Sequence, residues 1–256
     1  MNLTELLTHE IEPGAMFTFS AGGMEIVITD TIVVMWLIMA FLIIASLLLT
    51  RHMKTVPEGH QNFVETVVEF VNNLARDAIG HHWKHFAPYI GTVLLFLAVA
   101  NTISIFNIIP SGEDLYRLTH IGFFEHLPHF ALKPPTKDIN APASMAVMSS
   151  LLILFSGIRF KSFKGWLRGL VEPVPLVLPF KLLEYFIVPL SLCLRMFGNI
   201  LAAYMIMELV YMGIRQFLPA VWAPGVLSIY FDLFDGLLQA YVFVFLTSLY
   251  VGDAIE

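Results

Sequence analysis

Long uninterrupted apolar runs, separated by short polar stretches, dominate this chain. Residues 31–50, TIVVMWLIMAFLIIASLLLT, contain no charged side chain. Residues 88–109 and 141–158 repeat the pattern, the first of them closed by Pro110. A helix rising 1.5 Å per residue needs about 20 apolar residues to cross roughly 30 Å of hydrocarbon, so each run reads as one membrane span. Two later runs, 177–212 and 222–251, are longer than that. As single helices they reach roughly 45–50 Å and must tilt steeply or lie partly inside protein. The stretch 57–77 differs in kind. Phe63, Val67, Phe70, Val71 and Leu74 fall on one helical face, with Glu65, Glu69 and Asn73 elsewhere. That pattern predicts an amphipathic helix lying along the membrane surface. The expected fold is an all-α integral membrane protein, one domain over 1–256. It has about five membrane helices plus the surface helix, and the last two helices form a long tilted hairpin.

Composition narrows the function. Hydrophobic residues make up 57% of the chain and charged ones 13%, against roughly 45–50% and 25% in soluble domains. An ordinary cytosolic enzyme, a disordered chain and a nucleic-acid binder are excluded, the last also because a net charge of −6 offers no basic surface. The single cysteine, Cys193, excludes a disulfide framework and a cysteine zinc site. Residues 1–26 contain no Lys or Arg, so a cleavable signal is not expected. Basic residues collect in the 51–87 segment (Arg51, Lys54, Arg76, Lys84) and in the 159–181 segment (Arg159, Lys161, Lys164, Arg168, Lys181). The other segments hold Arg117, Lys133, Lys137 and Arg215. The positive-inside bias then places the N-terminus outside and the C-terminus in the cytoplasm.

An ionisable group at mid-membrane costs at least ~2.5–3.5 kcal/mol on insertion scales, which makes it a candidate for function. The first three spans are almost free of such groups; the last two are not. Arg195 lies deep in PLSLCLRMFGNILAAY, with Asn199 at i+4 and Ser191 at i−4 on its face. Glu184 lies three helical turns earlier on that face. Two readings of Arg195 stand side by side: it pairs with an acid of the final helix and pins two helices together, or it acts on a passing ion. In the final helix Ser228, Asp232, Asp235 and Gln239 share one α-helical face. This oxygen-bearing stripe reads as a hydrated entry path rather than as interhelical glue, because two carboxylates one turn apart are expensive glue. All nine histidines fall outside the expected spans, which argues against a membrane haem protein. His81, His82 and His85 read as a solvated interface rather than a metal site. There is no HExxH, GxSxG or phosphate-binding glycine loop, so neither a metal nor a cofactor is expected.

The segment LSLCLRMFGNILAAYMI, followed by Gln239 in LLQAYVFVFLTSLYV, resembles subunit a of the rotary (F-type) ATP synthase. PEGHQNFVE at 57–65 and KPPTKDIN at 133–140 are similar to further family segments, so the resemblance covers nearly the whole chain. It implies a stator in a bacterial inner membrane, beside a ring of c subunits and in contact with peripheral-stalk b subunits. Two offset half-channels would carry H⁺, or Na⁺, to and from the ring carboxylates, and nucleotide chemistry would lie in other subunits. Arg195 matches the family's essential arginine, Asn199 and Gln239 its polar companions, and Glu184 an acid of the cytoplasmic path. Asp138 and Asn140 fall in a matching segment and, with Asn107, Tyr204 and Glu208, would line a half-channel. The chain departs from the family pattern at Tyr204, Asp232 and Asn107, where many members carry other polar or acidic residues. Asp232, with Asp235 or Glu208, would replace the missing acids. The alternative class is a secondary ion transporter or channel working alone, which often shows an inverted repeat; none is visible here.

Overall fold

The structure is a computed structural model that describes residues 15–21, 24–51, 53–103, 134–171, 175–214, 227 and 229–255. It opens with an antiparallel pair, β1 (Ala15–Ala21) and β2 (Met24–Thr29), in which Phe19 faces Ile26 and Ala21 faces Met24. The helices follow in order: α1 (Asp30–Thr50), α2 (His60–Ile79) and α3 (Trp83–Thr102), then α4 (Asn140–Val171), α5 (Leu178–Ile214) and α6 (Gly236–Ile255). Short 3₁₀ turns at Gly80–His82, Pro135–Lys137 and Pro175–Val177 lead into α3, α4 and α5, and a π-helical segment, Ile229–Asp235, leads into α6. Five of the described helical stretches are long and apolar enough to cross a membrane, as expected for an all-α membrane protein. The two-stranded pair was not expected.

The core is built from α2, α3, α4, α5 and α6. Val71 and Leu74 of α2, Ile90 and Leu97 of α3, Leu192 and Met196 of α5, and Phe243 and Val244 of α6 belong to one buried cluster. α1 is peripheral: Ile38 is its one buried residue, and Phe41, Ile43 and Leu47 are exposed. A helix that is apolar all round yet packs little protein has its surface left for lipid. The amphipathic stretch forms a helix docked along α3 and α6, turned by Gly80 at φ 71°. Val71 and Leu74 are buried there, whereas Phe63 and Phe70 of the same expected face are 71% and 50% exposed. Close approach is allowed by two glycines. A Cβ on Gly91 would lie 3.2 Å from Val71 Cγ1, and one on Gly252 would overlap the Ala78 carbonyl oxygen.

Two levels of contact mark the ends of this bundle. At one end the His82 ring lies 4.6 Å from Phe160, and Gly252 of α6 meets Ala78 of α2. At the other, Asn101 of α3, Thr136 and Gly236 of α6 join. Between them α3 runs about 28 Å and α6 about 24 Å, close to the hydrocarbon thickness of a bilayer. α5 is different. It continues through Pro189 for 37 residues, about 55 Å, so within a bilayer it must lie obliquely. It packs chiefly along α4 and meets α6 only briefly.

Candidate functional site

α5 brings Glu184, Arg195 and Asn199 onto one long helix, and α6 places Gln239 in its first turn. Among the described residues one side-chain hydrogen bond joins the two helices: Asn199 Nδ2 donates to Gln239 Oε1 at 2.8 Å. Gln239 is 2% exposed, and its Nε2 finds no partner among the described residues. Arg195, one turn before Asn199, is exposed and forms no ion pair among the described residues, where Lys54–Glu58 is the salt bridge found. It lies in an open groove of 480 Å³ with Ile187, Leu190, Ser191 and Leu194. The surrounding surface of α5 is apolar and unpartnered: Phe186, Leu190 and Leu194 are 77%, 57% and 52% exposed. Among the described residues the Asn199–Gln239 pair joins the two helices, and the guanidinium meets no acid on this apolar face.

The second polar element is a cavity of 310 Å³ between α4, α5 and α6. Glu184, Lys161, Lys181 and Asp253 bring charge to its wall, and Trp166, Tyr185 and Tyr250 line it as well. The indole Nε1 of Trp166 donates to Tyr185 Oη at 2.9 Å, and Lys181 Nζ donates to the Gly169 carbonyl. Glu184 therefore sits at the bundle end marked by Phe160 and Gly252, about 16 Å along α5 from Arg195. Asp253 was not singled out from the sequence, although an acid closing an apolar helix was a visible signal.

The third element lies at the opposite end. Ile229–Asp235 forms π turns with i→i+5 bonds. The α-helical spacing used to align Ser228, Asp232, Asp235 and Gln239 does not hold across this segment, so the single-face reading is corrected there. Asp235 is half-buried and Gln239 buried. At the junction Asn101 Nδ2 donates to the Gly236 carbonyl at 3.1 Å, while Asn101 Oδ1 accepts from Thr136 Oγ1 at 2.8 Å. A Cβ on Gly236 would come within 3.2 Å of Asn101 Cβ, so glycine permits this approach. Asn101 was not anticipated, although an asparagine inside an apolar span was a readable signal. Asn140 begins α4, and Asp138 stands two residues before it. The Asp138 carboxylate accepts from Asn140 N at 3.0 Å and from Asn140 Nδ2 at 2.9 Å, which is helix capping. Ser228 and Asn107, and the side chains of Asp232, Tyr204 and Glu208, lie outside the described residues. Among the described residues no group of three or more His, Cys, Asp or Glu side chains is arranged to hold a metal ion.

Residues 32–252 match the family model described as ATP synthase A chain. The chain is also similar to a protein of Propionigenium modestum named ATP synthase subunit a, sodium ion specific. The two are 32% identical over 249 residues, covering 95% of this chain and 82% of that protein. An apolar multi-helix bundle with a lone exposed arginine on its longest helix agrees with that match, and the chain belongs to the ATP synthase A chain family, the ion-translocating stator subunit of the synthase.

Proposed function

We propose that Arg195 is the fixed cation that separates two offset half-channels, and that its partner is a carboxylate carried past α5 by a ring of c subunits. The observation that carries this is the isolation of Arg195: exposed, on an apolar face, without an acid in ion-pair reach among the described residues. A guanidinium stays protonated in any protein environment. Beside an arriving carboxylate it favours the ionised form, so the bound ion leaves as the site passes. The driving energy is ~2.3 kcal/mol per charge per 100 mV. The cavity containing Glu184 opens one path, toward the cytoplasm in the orientation that the basic segments favour. Asp235 and Asp232, with Ser228, supply the other, and Asn199 and Gln239 hold the barrier between them. Tyr204, Glu208 and Asn107 belong to the outer path in this reading, whereas Asp138 and Asn140 act through the capping of α4.

The chain is thus a non-catalytic part of the complex, seated in a bacterial inner membrane and braced by peripheral-stalk b subunits. Carboxylate–arginine exchange serves H⁺ and Na⁺ alike, and dependence of synthesis on added Na⁺ separates the two. The test of the site uses vesicles holding the assembled complex. Arg195→Lys and Arg195→Ala both abolish coupled ATP synthesis, and Arg195→Ala also renders the membrane sector passively ion-permeable. Normal coupled synthesis in Arg195→Ala refutes the assignment.

A further inference from the structure

α4 does not end where its apolar run ends. Ser162 takes φ 64° and ψ 150°, outside the helical range, and the chain turns aside before continuing as helix to Val171. The turn is sharp enough that the Trp166 ring comes within 3.1 Å of where a Cβ on Gly157 would sit. In a straight helix those two residues stand about 13.5 Å apart along the axis. The segment Phe163–Val171 is anchored inward by the Trp166–Tyr185 hydrogen bond. Outward it shows Phe163, Leu167 and Val171 in i, i+4, i+8 register, 59%, 51% and 37% exposed. Lys164 and Arg168 stand next to them, both exposed, and no acid occurs from Arg159 to Val171.

The level of this segment is marked by side chains of other helices. Tyr185 and Tyr250 line the cavity that Trp166 enters, and the Arg76 guanidinium lies 4.9 Å from the Trp83 ring at the same bundle end. Tyr, Trp and basic side chains collect at the membrane–water boundary. On the spanning part of α4, Leu151 and Phe155 are 47% and 63% exposed, so an apolar surface leads down to the turn.

We propose that Phe163–Val171 is an interfacial foot seated on the lipid leaflet. Phe163, Leu167 and Val171 enter the acyl boundary, and Lys164 and Arg168 hold the phosphates of anionic phospholipids. Lipid is the occupant because the apolar stripe continues a span, and the charge within Phe163–Val171, up to Glu172 that follows it, is wholly basic and complementary to anionic headgroups. The inference does not depend on which residues carry the ion.

The test places an environment-sensitive fluorophore at Leu167→Cys in a Cys193→Ala background of the assembled complex. The complex is held in nanodiscs of phosphatidylcholine with or without phosphatidylglycerol. The expected result is quenching by lipids labelled on their acyl chains, no quenching by aqueous iodide, and stronger lipid quenching with phosphatidylglycerol. Lys164→Gln/Arg168→Gln abolishes the phosphatidylglycerol increment while ATP synthesis and quenching in pure phosphatidylcholine persist. Quenching by iodide overturns the proposal in favour of a solvated face. Shielding from both quenchers overturns it in favour of a covering protein subunit. An increment that survives Lys164→Gln/Arg168→Gln overturns the role of the two basic residues.

Discussion

Replacing Asn199 by alanine removes the one polar bond that joins α5 to α6 among the described residues. Asn199 is exposed, so its own loss strands nothing else, but Gln239 is 2% exposed and loses the donor to Oε1. A stranded buried acceptor costs about 1–3 kcal/mol in protein interiors. Interhelical hydrogen bonds in membrane bundles average only ~0.6 kcal/mol and reach ~1.7, because the separated helices usually find other partners. Here Gln239 is sealed, and its Nε2 already lacks a partner among the described residues. The upper part of the membrane range therefore applies: about 1–1.7 kcal/mol, or roughly 5–20-fold in an unfolding equilibrium. The assay is denaturant unfolding of the purified complex in detergent micelles, followed by a probe on α6. The companion variant is Asn199→Ala/Gln239→Leu. Leucine replaces the buried amide by an apolar side chain of similar volume, so the double variant recovers most of the loss. The reasoning fails if Asn199→Ala unfolds like the parent, or if the double variant is no more stable than the single one.

Gly252→Ala drives a methyl group into the Ala78 carbonyl oxygen, a backbone atom that moves only with α2. It is expected to cost ~1–3 kcal/mol in the same unfolding assay, whereas Gly198→Ala, whose Cβ meets nothing within 4 Å among the described residues, leaves stability unchanged. Asn101→Leu removes a donor from the Gly236 carbonyl and the acceptor of the buried Thr136 hydroxyl and is expected to cost about 1–3 kcal/mol. Its mark is faster hydrogen exchange confined to the π segment and the first turn of α6, read by mass spectrometry.

Spans were legible because they depend on a summed quantity. An apolar run such as 31–50 needs no tertiary context to be a helix in lipid. Arg195, Asn199 and Gln239 stand out in the sequence for the converse reason: a polar group inside such a run is conspicuous. Ser162 was not, since serine carries no breaker signal and the turn is held by Trp166 against Gly157 and Tyr185. The π segment was also hidden. IYFDLFD has the composition of an α-helix, and the contact that accompanies its end comes from Asn101 on a distant helix. The opening strand pair did leave a trace, Gly22-Gly23 between two runs rich in Phe, Ile and Val, the kind of two-residue loop that hairpins favour. Capping by Asp138 was equally visible, as an acid two residues before a helix.

α5 is fastened at two stations along its length, Tyr185 by Trp166 of α4 and Asn199 by Gln239 of α6. Arg195 sits between them, ten residues beyond the first and four before the second, about 15 Å and 6 Å. Mechanically this is a beam bedded along one side, with Leu192 and Met196 seated in the core on either side of the arginine, and loaded on the other. A sideways pull on the guanidinium falls first on the supports next to it, those two packed side chains and the amide pair one turn on, and the more distant aromatic clamp carries less. Stiffness against whatever tugs at the arginine is therefore set by how α5 is seated on α4 and α6.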